Sequence, residues 1–126
     1  MKRAVATDDA PAAIGPYSQG VAAGPWVFVS GQIPLEPGGA ALVEGGVAAQ
    51  TERCLRSVVA ILRAAGLGPE DVVKTTVYMT DLSRFPEMNE VYARHFPAPH
   101  PARATVQVSA LPKGASVEID AVALAR

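Results

Sequence analysis

Apolar positions recur along this chain with two different periods, and each change of period marks an element. From Val47 to Ala65 they fall three or four apart. Val47, Thr51, Cys54, Leu55, Val58, Ile61, Leu62 and Ala65 make one stripe, with Glu52, Arg53, Arg56 and Arg63 mostly off it. That is the pattern of an amphipathic helix lying on a core. Gly66 suits the position just past its end, and Leu67 the apolar contact that accompanies such a stop. Upstream, residues 2–6 predict a short edge strand, and Gln19 to Ala23 a short strand ended by Gly24-Pro25. Trp26-Val27-Phe28-Val29-Ser30 is a β-prone run, expected in the core, that stops at Gly31 and Pro34. Asp8 to Gly15 reads as an ordered loop. Leu35 to Gly46, with four glycines and a proline, reads as loop too. Val72 to Met79 is again β-prone. A second helix begins near Phe85, with Pro86 in its first turn and Phe85, Met88, Val91/Tyr92 and Phe96 on one face. Pro97, Pro99 and Pro101 end it.

Two alternating stretches close the chain. Pro101 to Val106 and Val117 to Val122 flank the turn Leu111-Pro112-Lys113-Gly114, which predicts an antiparallel hairpin. With Ala110 opposite Ala115, Gln107 faces Glu118 and Arg103 faces Val122. Arg103, Thr105, Gln107, Glu118 and Asp120 then share one face. A guanidinium and a carboxylate start roughly 14 Å apart at Cα on that surface. Their side chains reach toward a small anion between them, an anchor and a base. The whole order is ββ(β)αβαββ, α+β, with two helices on one face of the sheet. The other face is rich in Val and Ala and predicts burial by oligomerisation.

Composition narrows the class. The 126 residues form one domain, 1–126, with 49% hydrophobic and 18% charged residues. A formal charge of −1 and the lack of a basic stripe argue against nucleic acid as a partner. No stretch reaches the roughly 18–20 apolar residues of a membrane span. Asp8 and Asp9 follow Lys2-Arg3 too soon for a signal peptide, so a cytoplasmic protein is expected. The single cysteine, Cys54, excludes an internal disulfide and offers no metal spacing. His95 and His100 have no partner at ligand spacing and read as non-catalytic, and no metal is expected. Lys74, between apolar residues, reads as a structural or interface charge rather than a Schiff-base lysine.

Four separated motifs carry a family resemblance. They are Ala12-Ala13-Ile14-Gly15-Pro16-Tyr17-Ser18-Gln19-Gly20, Ser30-Gly31-Gln32-Ile33-Pro34, Val73-Lys74-Thr75-Thr76-Val77, and Pro101-Ala102-Arg103 through Val117-Glu118-Ile119. In this order they resemble the RidA (YjgF) family of reactive-intermediate deaminases. The resemblance implies a chorismate-mutase-like α+β fold with a mixed sheet. It also implies a homotrimer with its sheets packed toward the centre and sites in the clefts between subunits. The implied activity is hydrolysis of 2-imino and enamino acids, such as 2-aminoacrylate and 2-iminopropanoate, to 2-keto acids and ammonia. No cofactor is implied, because the imine is already activated.

Residue by residue, Arg103 matches the family's carboxylate anchor and Glu118 its water-orienting acid. Tyr17, Ser30 and Gly31 match further pocket groups, and Asn89 of the second helix borders the cleft. Thr105 stands where some members carry a cysteine, so no reading that depends on a reactive thiol at the site applies. The residue types fit the chemistry. An arginine fork grips a carboxylate through two parallel bonds, as lysine does not. Burial would raise the Glu118 pKa toward neutrality while a nearby Arg103 would oppose the rise. Two rival readings stay open at this point: an endoribonuclease or translation inhibitor, and a non-catalytic keto-acid-binding or chaperone-like trimer.

Overall fold

The computed structural model describes residues 1–126. Six strands form one mixed sheet: β1 (Lys2–Val5), β2 (Gly20–Ala23), β3 (Trp26–Gln32), β4 (Val72–Met79), β5 (Ala102–Gln107) and β6 (Val117–Leu124). Two helices, α1 (Val47–Ala64) and α2 (Phe85–Ala93), lie against one face. The helical and strand periods thus fall where the apolar pattern sets them. At the end of α1, Gly66 takes φ +80°, a conformation that costs glycine nothing. The N–H groups of Gly66 and Leu67 then turn back to the carbonyls of Arg63 and Leu62, each at 2.9 Å.

The strand order is β1-β2-β3-β6-β4-β5. This corrects the expected C-terminal hairpin. Strands β5 and β6 do not pair; β4 lies between them, parallel to β5 and antiparallel to β6. The connection through α2 is long enough to return the chain for a parallel pairing, which a tight turn cannot do. β6 in turn fills the slot between β3 and β4. β5 is thereby left at the edge of the sheet and β6 in its interior.

Alternation along the strands assigns every side chain to a face. Val77, Met79, Val117, Ile119, Ala121 and Ala123 join Cys54, Leu55, Val58, Ile61 and Leu62 of α1 in the core. Only Val27 and Val29 of the third strand belong there. Trp26 and Phe28 point to the opposite, open face and are 41% and 46% exposed, so the expectation that this whole run is core fails. Val106 and Leu124 share that exposure. No helix of the chain is long and apolar enough to cross a membrane.

Candidate active site

The pairing correction changes the site. Arg103 is in register with Thr75 and Thr105 with Val77, so both point to the helix-covered side of the sheet. Glu118 is in register with Tyr78 and Asp120 with Thr76, on the open side. Arg103 and Glu118 do not share a face, contrary to the hairpin register. They are separated by two strand spacings, about 10 Å, by three residues along the strand, about another 10 Å, and by the sheet itself. The candidate residues form two clusters.

The first cluster is built by β5 and α2. Arg103 Nη1 donates to Asn89 Oδ1 at 2.8 Å. Its guanidinium carbon lies 4.6 Å from the Tyr92 ring centroid and 5.3 Å from that of Phe85, within cation–π range. Tyr92 is itself fixed, its hydroxyl 2.7 Å from the buried Thr75 Oγ1. Burial raises the Tyr92 pKa, with the Thr75 bond and the Arg103 charge opposing. Asn89, Tyr92, Phe96, His100 and Arg103 line a recess of about 340 Å³. Two residues beyond Arg103, the buried Thr105 Oγ1 has no hydrogen-bond partner within the chain. This cluster offers a preorganised fork of donors with an aromatic backing, a geometry chemically suited to a small carboxylate.

The second cluster is built by β3 and β6. Ser30 and Gly31 sit where the β3–β6 register slips, between Val29–Ala121 and Gln32–Ile119, so two residues of one strand bulge against one of the other. The bulge brings the Gly31 backbone against the Glu118 carboxyl; a Cβ on Gly31 would overlap Glu118 Oε2. Ser30 Oγ donates to the Ser18 carbonyl at 2.6 Å, and the Ser30 N–H donates to Gln19 O at 2.9 Å. Both bonds tie β3 to the segment that carries Tyr17, which is half exposed. Tyr17, Gly31, Ile14, Ile33, Pro112 and Lys113 line a second recess, of about 420 Å³. Glu118 is half-buried. Burial raises its pKa, and the neighbouring Asp120 adds to the rise; within the chain no arginine faces it to counter this.

The structure thus groups Tyr17, Ser30, Gly31 and Glu118, and separately Arg103, Asn89 and Thr105. Three contributors escaped the sequence reading. Phe85 and Tyr92 were expected only as core, although Phe85, Asn89 and Tyr92 repeat at i, i+4 and i+7 and so had to share a stripe. His100, set aside among prolines, lines the Arg103 recess. The other histidine lies elsewhere, with His95 Nε2 2.8 Å from Glu52 Oε1.

A small α+β protein with a mixed sheet, helices on one side and its polar candidates split between two faces defines a narrow class. The family model described as Endoribonuclease L-PSP matches residues 7–125, and the chain belongs to this family, the RidA (YjgF) family whose motifs it carries. It is 53% identical over 125 residues to the protein DfrA of Myxococcus xanthus, covering 98% of this chain and 95% of that one. It is 46% identical over 124 residues to the human 2-iminobutanoate/2-iminopropanoate deaminase, covering 98% and 90%. Among solved structures, RidA of Psychrobacter sp. PAMC 21119 superimposes with a TM-score of 0.92 at 47% identity, covering 97% and 98%.

Proposed function

We propose that this chain is the subunit of a homotrimeric hydrolase that converts 2-imino acids to 2-keto acids and ammonia at sites between subunits. One observation carries the reading: Arg103 and Glu118 lie on opposite faces of one sheet, so they can serve one substrate only if two copies meet. The apolar open face supplies a reason for copies to meet, and the deaminase relative supplies the reaction.

In this mechanism Arg103 of one copy, held by Asn89 and backed by Tyr92 and Phe85, takes the substrate carboxylate. The C2 imine, protonated on nitrogen, then faces Glu118 of the next copy. Glu118 accepts a proton from water as the oxygen attacks C2, and the C=N π electrons move to nitrogen. The proton passes from Glu118 to the carbinolamine nitrogen. The C–N bond breaks, ammonia leaves, and loss of the hydroxyl proton gives the 2-keto acid. Alignment of water and imine supplies several kcal/mol of the barrier. The small residue at position 31 lets the acid approach closely.

The test uses complementation. An amino-acid oxidase generates the imine, semicarbazide traps what remains, and suppression of the semicarbazone reports hydrolysis. Arg103→Ala and Glu118→Gln should each be inactive. Co-expressed as mixed trimers, they should recover about one third of wild-type sites, the one junction per ring that joins an intact Arg103 to an intact Glu118. No recovery in verified mixed trimers would refute the shared site. No suppression by wild type, with alanine- and leucine-derived imines, would refute the activity.

A further inference from the structure

Glu118 shares its face with a second carboxylate. Asp120 follows it by two residues on β6, so both side chains leave the strand on the open side, with Cα atoms about 7 Å apart. Tyr78 stands directly opposite Glu118 in register, the nearest position on β4 from which a donor could serve it. Its hydroxyl instead reaches diagonally and donates to Asp120 Oδ2 at 2.9 Å. Asp120 is thereby fixed, and Glu118 is left facing an immobile like charge.

The other groups around Glu118 do little to cancel that charge. On the β3 side it meets the uncharged Gly31 backbone. On β4, Lys74 is level with Val122, two open-face positions beyond Tyr78 and past Asp120. No helix packs on this face. Through the sheet lies α1, where burial and then the Glu118 charge raise the Cys54 thiol pKa, with Arg53 opposing. Lys113 and Tyr17 line the recess beside Gly31, and Lys113 is a cation of the same chain on that side; in the assembly, Arg103 of a neighbouring copy is a further one that the proposed mechanism brings near.

We propose that Asp120 is a positioning residue acting through Glu118: anchored by Tyr78, its fixed negative charge makes Glu118 a stronger proton acceptor toward the attacking water. The inference rests on the reading of Glu118 as the general base. A carboxylate with an ordinary proton affinity removes a proton from water poorly, and a like charge beside it improves the match. The Glu118 pKa is indeed raised, first by burial and then by Asp120. That of Tyr78 is raised too, first by burial and then by its bond to Asp120. Two adjacent acids on one strand face thus have separate tasks, one taking the proton from water and the other held in place by Tyr78.

The experiment titrates the Glu118 carboxyl carbon by NMR in wild type, Asp120→Asn, Asp120→Glu and Tyr78→Phe, alongside the pH profile of kcat/KM. Asp120→Asn should move the Glu118 midpoint to lower pH. On the acid limb, one unit below the wild-type midpoint, its activity relative to its own plateau should rise roughly threefold. Asp120→Glu should restore the wild-type midpoint, and Tyr78→Phe should shift it in the same direction as Asp120→Asn but less. A midpoint unchanged in Asp120→Asn, or moved as far by Asp120→Glu, overturns the proposal. Should Asp120→Asn not assemble, Tyr78→Phe decides alone, with an unmoved midpoint overturning it. The NMR midpoint needs no turnover. An inactive wild type would therefore sink the deaminase reading while the coupling of Asp120 to Glu118 is still decided separately.

Discussion

At the scale of the residue, the tightest constraint is Gly31. Its φ lies outside the left-handed region, so conformational freedom is not what selects glycine here. The selecting contact is the Glu118 carboxyl, which occupies the volume a Cβ would need. The obstructing atoms are the far end of a flexible side chain, so Gly31→Ala should cost little stability and much function. We expect a change in unfolding free energy under about 1 kcal/mol, with kcat/KM falling at least about tenfold as the carboxylate is displaced. Chemical denaturation beside steady-state kinetics checks both; equal losses in the two would contradict this account. The residue types were legible in the sequence: a glycine after a strand, an arginine and a glutamate on alternating strands. The Gly31–Glu118 contact was not, because it arises between strands far apart in the chain.

At the scale of the element, α2 and the loop before β2 do the positioning. The i, i+4, i+7 stripe of Phe85, Asn89 and Tyr92 holds Arg103 from one side by two rings and an amide. The loop is held by one buried side chain. Gln19 Oε1 accepts from the Thr7 N–H at 2.7 Å, and its Nε2 is directed at the carbonyls of Thr7, Ala10 and Pro11 at 3.1, 3.3 and 2.8 Å. Thus a single amide converts residues 7–19 from a free loop into a fixed platform for Tyr17. Gln19→Glu keeps the acceptor for Thr7 but sets an anionic oxygen against three carbonyls. It should destabilise the chain by about 2–3 kcal/mol and raise KM more than it lowers kcat. Urea unfolding and Michaelis constants read the two effects, and a variant as stable as wild type would show that the staple does not matter. The reading of Asp8 to Gly15 as ordered loop agrees with the structure, but glutamine gave no sign in sequence that it would be the buried fastener.

At the scale of the whole molecule, the open face governs behaviour. Trp26, Phe28, Val106 and Leu124 are exposed on a sheet that lacks a second layer of helices, and apolar surface of this kind favours association. Phe28→Asp should leave the chain folded, since the residue contributes nothing to the core, while preventing assembly. Analytical ultracentrifugation should find trimers for wild type and monomers for the variant, with unchanged far-UV circular dichroism and loss of imine hydrolysis. A monomeric variant with full activity would place the site within one chain. That outcome would refute the proposed shared site, which rests on the Arg103–Glu118 separation.

Local periodicity was enough to place the elements, because it reflects which side of a helix or strand meets the core. The sequence also determined the helix stop at Gly66 and the alternation within each strand. Strand neighbours were decided only in three dimensions. A Pro-Lys-Gly turn between two alternating runs favours a hairpin locally, but β4 pairs with both runs and separates them. That choice put Arg103 and Glu118, expected as an anchor and a base on one face, on opposite faces of the sheet. Alternation fixes faces within a strand and leaves relations between strands to the packing of the whole sheet.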